Sequence, residues 1–266
     1  MNQIFSRRLG FALGCVVVSF AVAASGCAAE AALDEEDSAY FEDIDDALIV
    51  RVGGRVDPTY VLDDENLEGD QDIGVDQVQA LLDEGKSSLR DYSVGSRSAA
   101  QVIVDEAKAK RISPAYVLAR LQTEQGLVFA PKSASTVNRA IAKAMGCGCP
   151  DYAPCSRSNA GFEGQIVCGT NLVRVYLDNL DASKTTVGGT TYVQPAEWKV
   201  GRTTRTLDGC SIRPKNRATA ALYTYTPWVG QSSTGSCGAR RVMGTSGLAI
   251  QYKKVKLNLA ALATAQ

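Results

Sequence analysis

Apolar positions recur three to four residues apart along much of this chain, the spacing of helices with one buried face. Residues 74–82 run into an Asp-Glu-Gly stop, predicting a short helix ended by Gly85. Residues 98–111 predict a second, with Ala100, Ile103, Ala107 and Lys110 along one side. Residues 112–128 predict a third: Ser113 is placed to cap it, Pro114 suits its first position and Gly126 its end. Val137, Ile141 and Met145 mark a fourth over residues 135–145, broken by Gly-Cys-Gly-Cys-Pro. Residues 164–180 supply a fifth and residues 216–225 a sixth, which Pro227 closes. Strand character is confined to about 185–209, where Thr191-Tyr192-Val193 and Trp198-Lys199-Val200 read as a small hairpin region. Residues 244–262 fit helix and strand equally. The pattern predicts a mainly α fold with a small β insert.

One position interrupts the pattern. Residues 114, 117, 121, 124 and 128 share a helix face and read Pro, Val, Leu, Glu, Val. Glu124 therefore stands where an apolar side chain is expected. A carboxylate among apolar neighbours resists ionisation and so suits proton donation. The structural alternative is a rim position, with Glu124 reaching solvent or pairing with Arg120 one turn earlier.

Cysteines and the N-terminus indicate export. Arg7 and Arg8 precede an apolar run over residues 9–24, followed by Ser25-Gly26-Cys27. At about 15 residues the run is short for a span of about 20. Residues 1–27 thus read as a signal of lipoprotein type, with Cys27 the lipidated residue and a membrane anchor. Ala24 stands where such signals more often carry Leu, so ordinary cleavage nearby is the alternative. Cys147, Cys149, Cys155, Cys168, Cys210 and Cys237 remain, and an even number in an exported chain predicts three disulfides of open pairing. Their spacing is not a standard zinc pattern, and no metal or cofactor is expected.

Charge is unevenly divided. Residues 28–95 carry 20 acids against 4 bases (net −16), and residues 96–266 carry 9 acids against 22 bases (net +13). Residues 28–57 read as an acidic flexible tether, though 44–56 also fit a short strand against the domain, leaving 58–266 as the folded domain. A basic exported body favours anionic cell-wall polymer, or the leader itself, as partner. No interleaving of basic and aromatic residues points to nucleic acid.

The chain contains no histidine. That excludes Ser-His-Asp and Cys-His catalysis and histidine-ligated zinc. Carboxylate chemistry, as in glycosidic-bond cleavage, fits what remains. Among the scarce acids of the basic body, Glu124 alone sits on an apolar stripe.

The stretch S-P-A-Y-V-L-A-R-L-Q-T-E-Q-G-L resembles the catalytic helix of the lysozyme-like superfamily, in particular bacterial lytic transglycosylases and related N-acetylglucosaminidases. V-x-Q-V-Q-A-L-L, A-M-G-C-G-C-P, G-F-x-x-Q-I and N-x-A-T-A-A-L-Y-x-Y-T-P extend that resemblance over residues 60–230. It implies a lysozyme-like helical domain, stabilised by disulfides, that cleaves peptidoglycan at β-1,4 bonds between N-acetylated amino sugars. Glu124 matches the general acid, and Gln125 replaces the serine that usually follows it. Gln165 and Asn216 match substrate-binding positions. Tyr223, ahead of Tyr225, matches the tyrosine near the acid. A transglycosylase needs one carboxylate. A hydrolytic glucosaminidase or muramidase calls for a second, for which Glu197 and Asp208 are candidates. A non-catalytic wall-binding protein is the reading from another class.

Overall fold

The computed structural model describes residues 56–149, 155–180, 185–187, 190–192, 198–230, 237 and 244–264. The predicted signal with Cys27, Glu197 and the predicted tether before Val56 lie outside the described residues.

Among the described residues, eight α-helices and three two-stranded ribbons follow in order. They are α1 (Asp64–Glu68), α2 (Val75–Glu84), β1 (Ser93–Val94), β2 (Arg97–Ser98), α3 (Ala99–Ala109), α4 (Pro114–Gln125), α5 (Ala134–Ala142) and α6 (Gly161–Asp178). Then come β3 (Thr185–Val187), β4 (Thr190–Tyr192), β5 (Thr204–Arg205), β6 (Ser211–Ile212), α7 (Arg217–Tyr225) and α8 (Gly244–Thr264). The fold is mainly helical, as the apolar periodicity predicts.

The helix bearing Glu124 lies at the centre. Pro114 through Gln122 are all buried, so α4 is enveloped rather than merely lying on one apolar stripe. Its main partner is α8; α3 flanks it, and α2 bridges α3 and α8. The ambiguous tail is thus helix, and its composition explains the fit. Gly244, Thr245, Ser246, Gly247 and Ala249 are small and buried, which lets two backbones approach closely. Gly244 has φ +63° and an added Cβ would lie 2.9 Å from both the Gly230 nitrogen and the Trp228 oxygen, so only glycine fits this entry. On the other side α6 packs against α3 and α7.

Three differences from the sequence reading have physical causes. The β1–β2 ribbon, with Ser93 opposite Ser98 and Gly95 at φ +60°, is too short to show period-two alternation. The later strands run to Ile212, while Trp198 is in a loop and stacked on Tyr223 at 4.8 Å. Its side chain is buried by a ring, not by a sheet. α6 begins at Gly161, three residues before the predicted start.

Disulfides join Cys147 to Cys168, Cys149 to Cys155 and Cys210 to Cys237. They use all six cysteines from Cys147 onward and mark an oxidising, exported environment. Among the described residues, no helix is long and apolar enough to cross a membrane.

Part of the charge division is met within the fold. Asp57 pairs with Lys215 at 2.8 Å and Glu68 with Arg174 at 2.6 Å. Asp64 accepts from the Ala218 N–H at the start of α7 at 2.7 Å. Asp70 pairs with Lys256 of α8 and accepts from Ser113 and Tyr252, each at 2.8 Å. The acidic N-terminal segment is a strap across the basic C-terminal elements, and Asp57, the last residue of the predicted tether, already belongs to it. Burial alone would raise the Asp70 carboxyl; the bonds from Lys256, Ser113 and Tyr252 outweigh it and hold it below the usual carboxylate range.

Candidate functional site

Both ends of α4 are fixed. Ser113 accepts from the Tyr116 N–H at 3.2 Å while donating to Asp70. Gly126, at φ 58° and ψ 39°, stops the helix in the left-handed conformation, with its N–H bonded to the Gln122 carbonyl. The Gln122 side chain turns the following loop back, accepting from the N–H groups of Val128 and Phe129 at 2.9 Å each. Glu124 is therefore held on a rigid last turn.

Its surroundings differ from the apolar ones that its helix face predicts. Arg120 is 1% exposed, and its Nη1 lies 3.0 Å from Glu124 Oε1, whose side chain is 28% exposed. Its Nη2 donates to Thr226 Oγ1 at 3.0 Å, and its guanidinium stacks over the Tyr225 ring at 4.0 Å. Burial alone would lower the Arg120 pKa, and Tyr116, Glu124 and Tyr225 together raise it. Tyr116, Arg120 and Glu124 stand four residues apart on one face of α4. That polar ladder was visible in the sequence beside the apolar stripe, and it is the signal by which Tyr116 and Arg120 belong to the site. Glu124 also faces a close backbone: a Cβ on Gly146, which has φ +67°, would lie 3.6 Å from Glu124 Oε2.

Tyr225, not Tyr223, stands with Glu124. Its hydroxyl donates to the Met145 carbonyl at 2.9 Å, and its buried phenol is pushed well up, mainly by burial. Tyr223 donates to the Pro58 carbonyl at 2.9 Å under Trp198. Two residues along a helix turn side chains about 200° apart, so only one of the pair reaches the Arg120 side.

The remaining expected residues divide clearly. Gln125 ends α4 and is half-buried. Gln165 is buried, accepting from the Met145 and Cys147 N–H groups at 3.2 and 3.0 Å and donating to the Cys147 and Asn159 carbonyls. That amide shapes the wall loop, residues 145–149 facing Glu124, and its polar atoms are turned to backbone groups rather than to a sugar. Asn216 caps α7, accepting from Thr219 N–H at 3.2 Å and donating to the Leu62 carbonyl at 2.6 Å. Asp208 accepts from Thr206 Oγ1, Val229 N–H and Gly230 N–H at 2.6, 3.1 and 2.9 Å, closing a loop. It is a structural clamp near Tyr223 rather than a carboxylate reaching across to Glu124. Among the described residues no cluster of three or more acids and cysteines is arranged to hold a metal ion.

No family, curated protein or solved structure matches this chain.

Proposed function

We propose that the chain cleaves peptidoglycan glycan strands at β-1,4 bonds between N-acetylated amino sugars, on a lysozyme-like helical scaffold, with Glu124 as general acid and base. One observation carries the reading: an accessible carboxylate ends a fully enveloped central helix and is steadied by a buried cation and a glycine-walled loop. Glu124 donates a proton to the glycosidic oxygen as the bond from C1 breaks, which requires the Arg120 contact to yield. The same carboxylate then takes the muramyl 6-hydroxyl proton as O6 bonds to C1, giving a 1,6-anhydro product with no water consumed. The commitment of Asp208 to backbone groups weighs against a hydrolytic form that draws on it. The polymer is the proposed partner, and membrane attachment through Cys27 is part of the proposal.

The ion pair also supports a second reading. As the counter-ion of a buried guanidinium, Glu124 serves the fold, and the protein binds wall polymer without cutting it. The exported chain and its Glu124→Gln variant, incubated with purified peptidoglycan, separate the two by the mass of released products. Products lighter by one water than reducing muropeptides, absent with the folded variant, support the transglycosylase. Reducing ends indicate hydrolysis. No products from either protein, both pelleting with the wall, favour binding alone.

A further inference from the structure

The β5–β6 ribbon turns a charged face outward. Thr204 pairs with Ile212 and Arg205 with Ser211. Ile212 is buried, so strand alternation puts Arg205, Ser211 and Arg213 on the solvent side, where all three are exposed. Residues 199–213 hold four bases against one acid. That acid, Asp208, is turned inward onto Thr206, Val229 and Gly230. Arg205 and Arg213 each donate Nε–H to a backbone carbonyl, of Gly209 at 3.3 Å and of Gly201 at 2.6 Å, and neither forms an ion pair with a described residue. Two of the four exposed large hydrophobic residues described belong to the same segment, Val200 at 45% and Leu207 at 82%. Leu207 is held out in solvent by its turn. The Gly209 N–H closes that turn on the Thr206 carbonyl at 3.0 Å, and the Leu207 N–H bonds the Pro227 carbonyl at 2.8 Å.

We propose that this face docks on an anionic lipid bilayer, with Leu207 entering the headgroup boundary and Arg205 and Arg213 meeting lipid phosphates. Three observations favour that partner. First, a rigidly exposed leucine beside unpaired guanidinium groups suits a bilayer surface, where apolar burial and attraction to anionic headgroups act together. Second, aromatic rings and side-chain amides, which would stack on and hydrogen-bond a sugar polymer, are absent from residues 199–213. Third, the described chain begins beside this face. Lys215, two residues after Arg213, bonds Asp57 through Nζ at 2.8 Å and the Thr59 carbonyl through its N–H at 2.9 Å. The side on which the chain enters the folded body is therefore the side that carries the cations. The contact is independent of any lipid on Cys27 and of the chemistry performed at Glu124.

Sedimentation with sucrose-loaded vesicles at about 0.1 M salt tests this on the exported chain carrying Cys27→Ser, which leaves no residue there for a lipid. Vesicles of phosphatidylglycerol and phosphatidylcholine in equal parts should pellet the protein, and phosphatidylcholine alone should bind at least about tenfold less. Leu207→Ser should weaken binding about tenfold. Arg205→Gln with Arg213→Gln should weaken it about thirtyfold. Arg205→Lys with Arg213→Lys keeps the charges while losing the backbone bonds, and should restore most of the binding. If it does not, the arginines act through the fold and the proposal is overturned. Absence of sedimentation, equal binding to both vesicles, or binding that survives Leu207→Ser and the double glutamine variant also overturns it. So does loss of peptidoglycan pelleting in those variants without any vesicle binding, which makes wall polymer the partner of this face.

Discussion

Removing the negative charge of Glu124 while keeping its shape, as in Glu124→Gln, tests what holds Arg120 inside the protein. At 3.0 Å a unit charge pair is worth about 5 kcal/mol with an effective dielectric of about 20. Solvent reaches 28% of the Glu124 side chain, which screens part of this. The buried guanidinium keeps the Thr226 hydroxyl and the Tyr225 face, which offset a further share. A loss of about 2–3 kcal/mol follows, below the 3–5 kcal/mol for stranding a wholly buried charge. A domain with about 5–15 kcal/mol of stability remains folded after such a loss, so activity stays measurable. Arg120→Met removes the stranded charge itself and should cost less. In the double variant the added Glu124→Gln step should cost almost nothing, giving a coupling of about 2 kcal/mol. Urea unfolding at neutral pH, with unchanged slope, reads all three differences. If Glu124→Gln lies within about 0.5 kcal/mol of the parent, or the two changes add, the carboxylate does not hold the guanidinium and the structural reading of Glu124 fails.

The strap and the wall loop give two more tests. Asp70 has a folded pKa below its unfolded value of about 3.9, so its contribution is complete above that value and disappears as pH falls through the folded one. Asp70→Asn should cost about 3 kcal/mol at pH 7 and flatten the decline of Tm between pH 5 and 2; parallel declines for the two proteins refute the assignment. Gln165→Leu strands the Met145 and Cys147 N–H groups, for an expected loss of about 2–4 kcal/mol and faster exchange of the amides at 145–149. Unchanged protection there would show that the disulfides alone hold the wall.

What the sequence revealed follows the range of each interaction. Local signals were legible: Ser113, Pro114 and Gly126 delimit α4 because caps and breakers act within a few residues. The even cysteine count predicted bridges for the same compartmental reason that they form. The partner of α4 was not legible, because α8 announces its role through small residues whose meaning depends on what lies opposite. Glu124 was found as an exception on an apolar face, whereas its neighbours required the second face, through Tyr116 and Arg120. Gln165 and Asn216 misled for a common reason. A polar amide in a helical domain is as useful for closing backbone groups as for meeting a ligand, and only the geometry distinguishes them. Charge composition left wall polymer and the leader itself open as partners, since a net value alone cannot show that the acidic segment lies on the basic one.

That strap also sets an order of assembly. Its partners lie far down the chain: Glu68 meets Arg174 across 106 residues, Asp57 meets Lys215 across 158, and Asp70 meets Tyr252 across 182. A polypeptide emerging from the ribosome exposes the strap and α4 long before α8 exists to cover them. Native closure therefore waits for α8, since distant contacts cannot form until both partners are present. For a protein passed through a membrane as an unfolded thread, this delay keeps the early segments threadable until α8 has followed them. Late closure makes α8 the timer of folding.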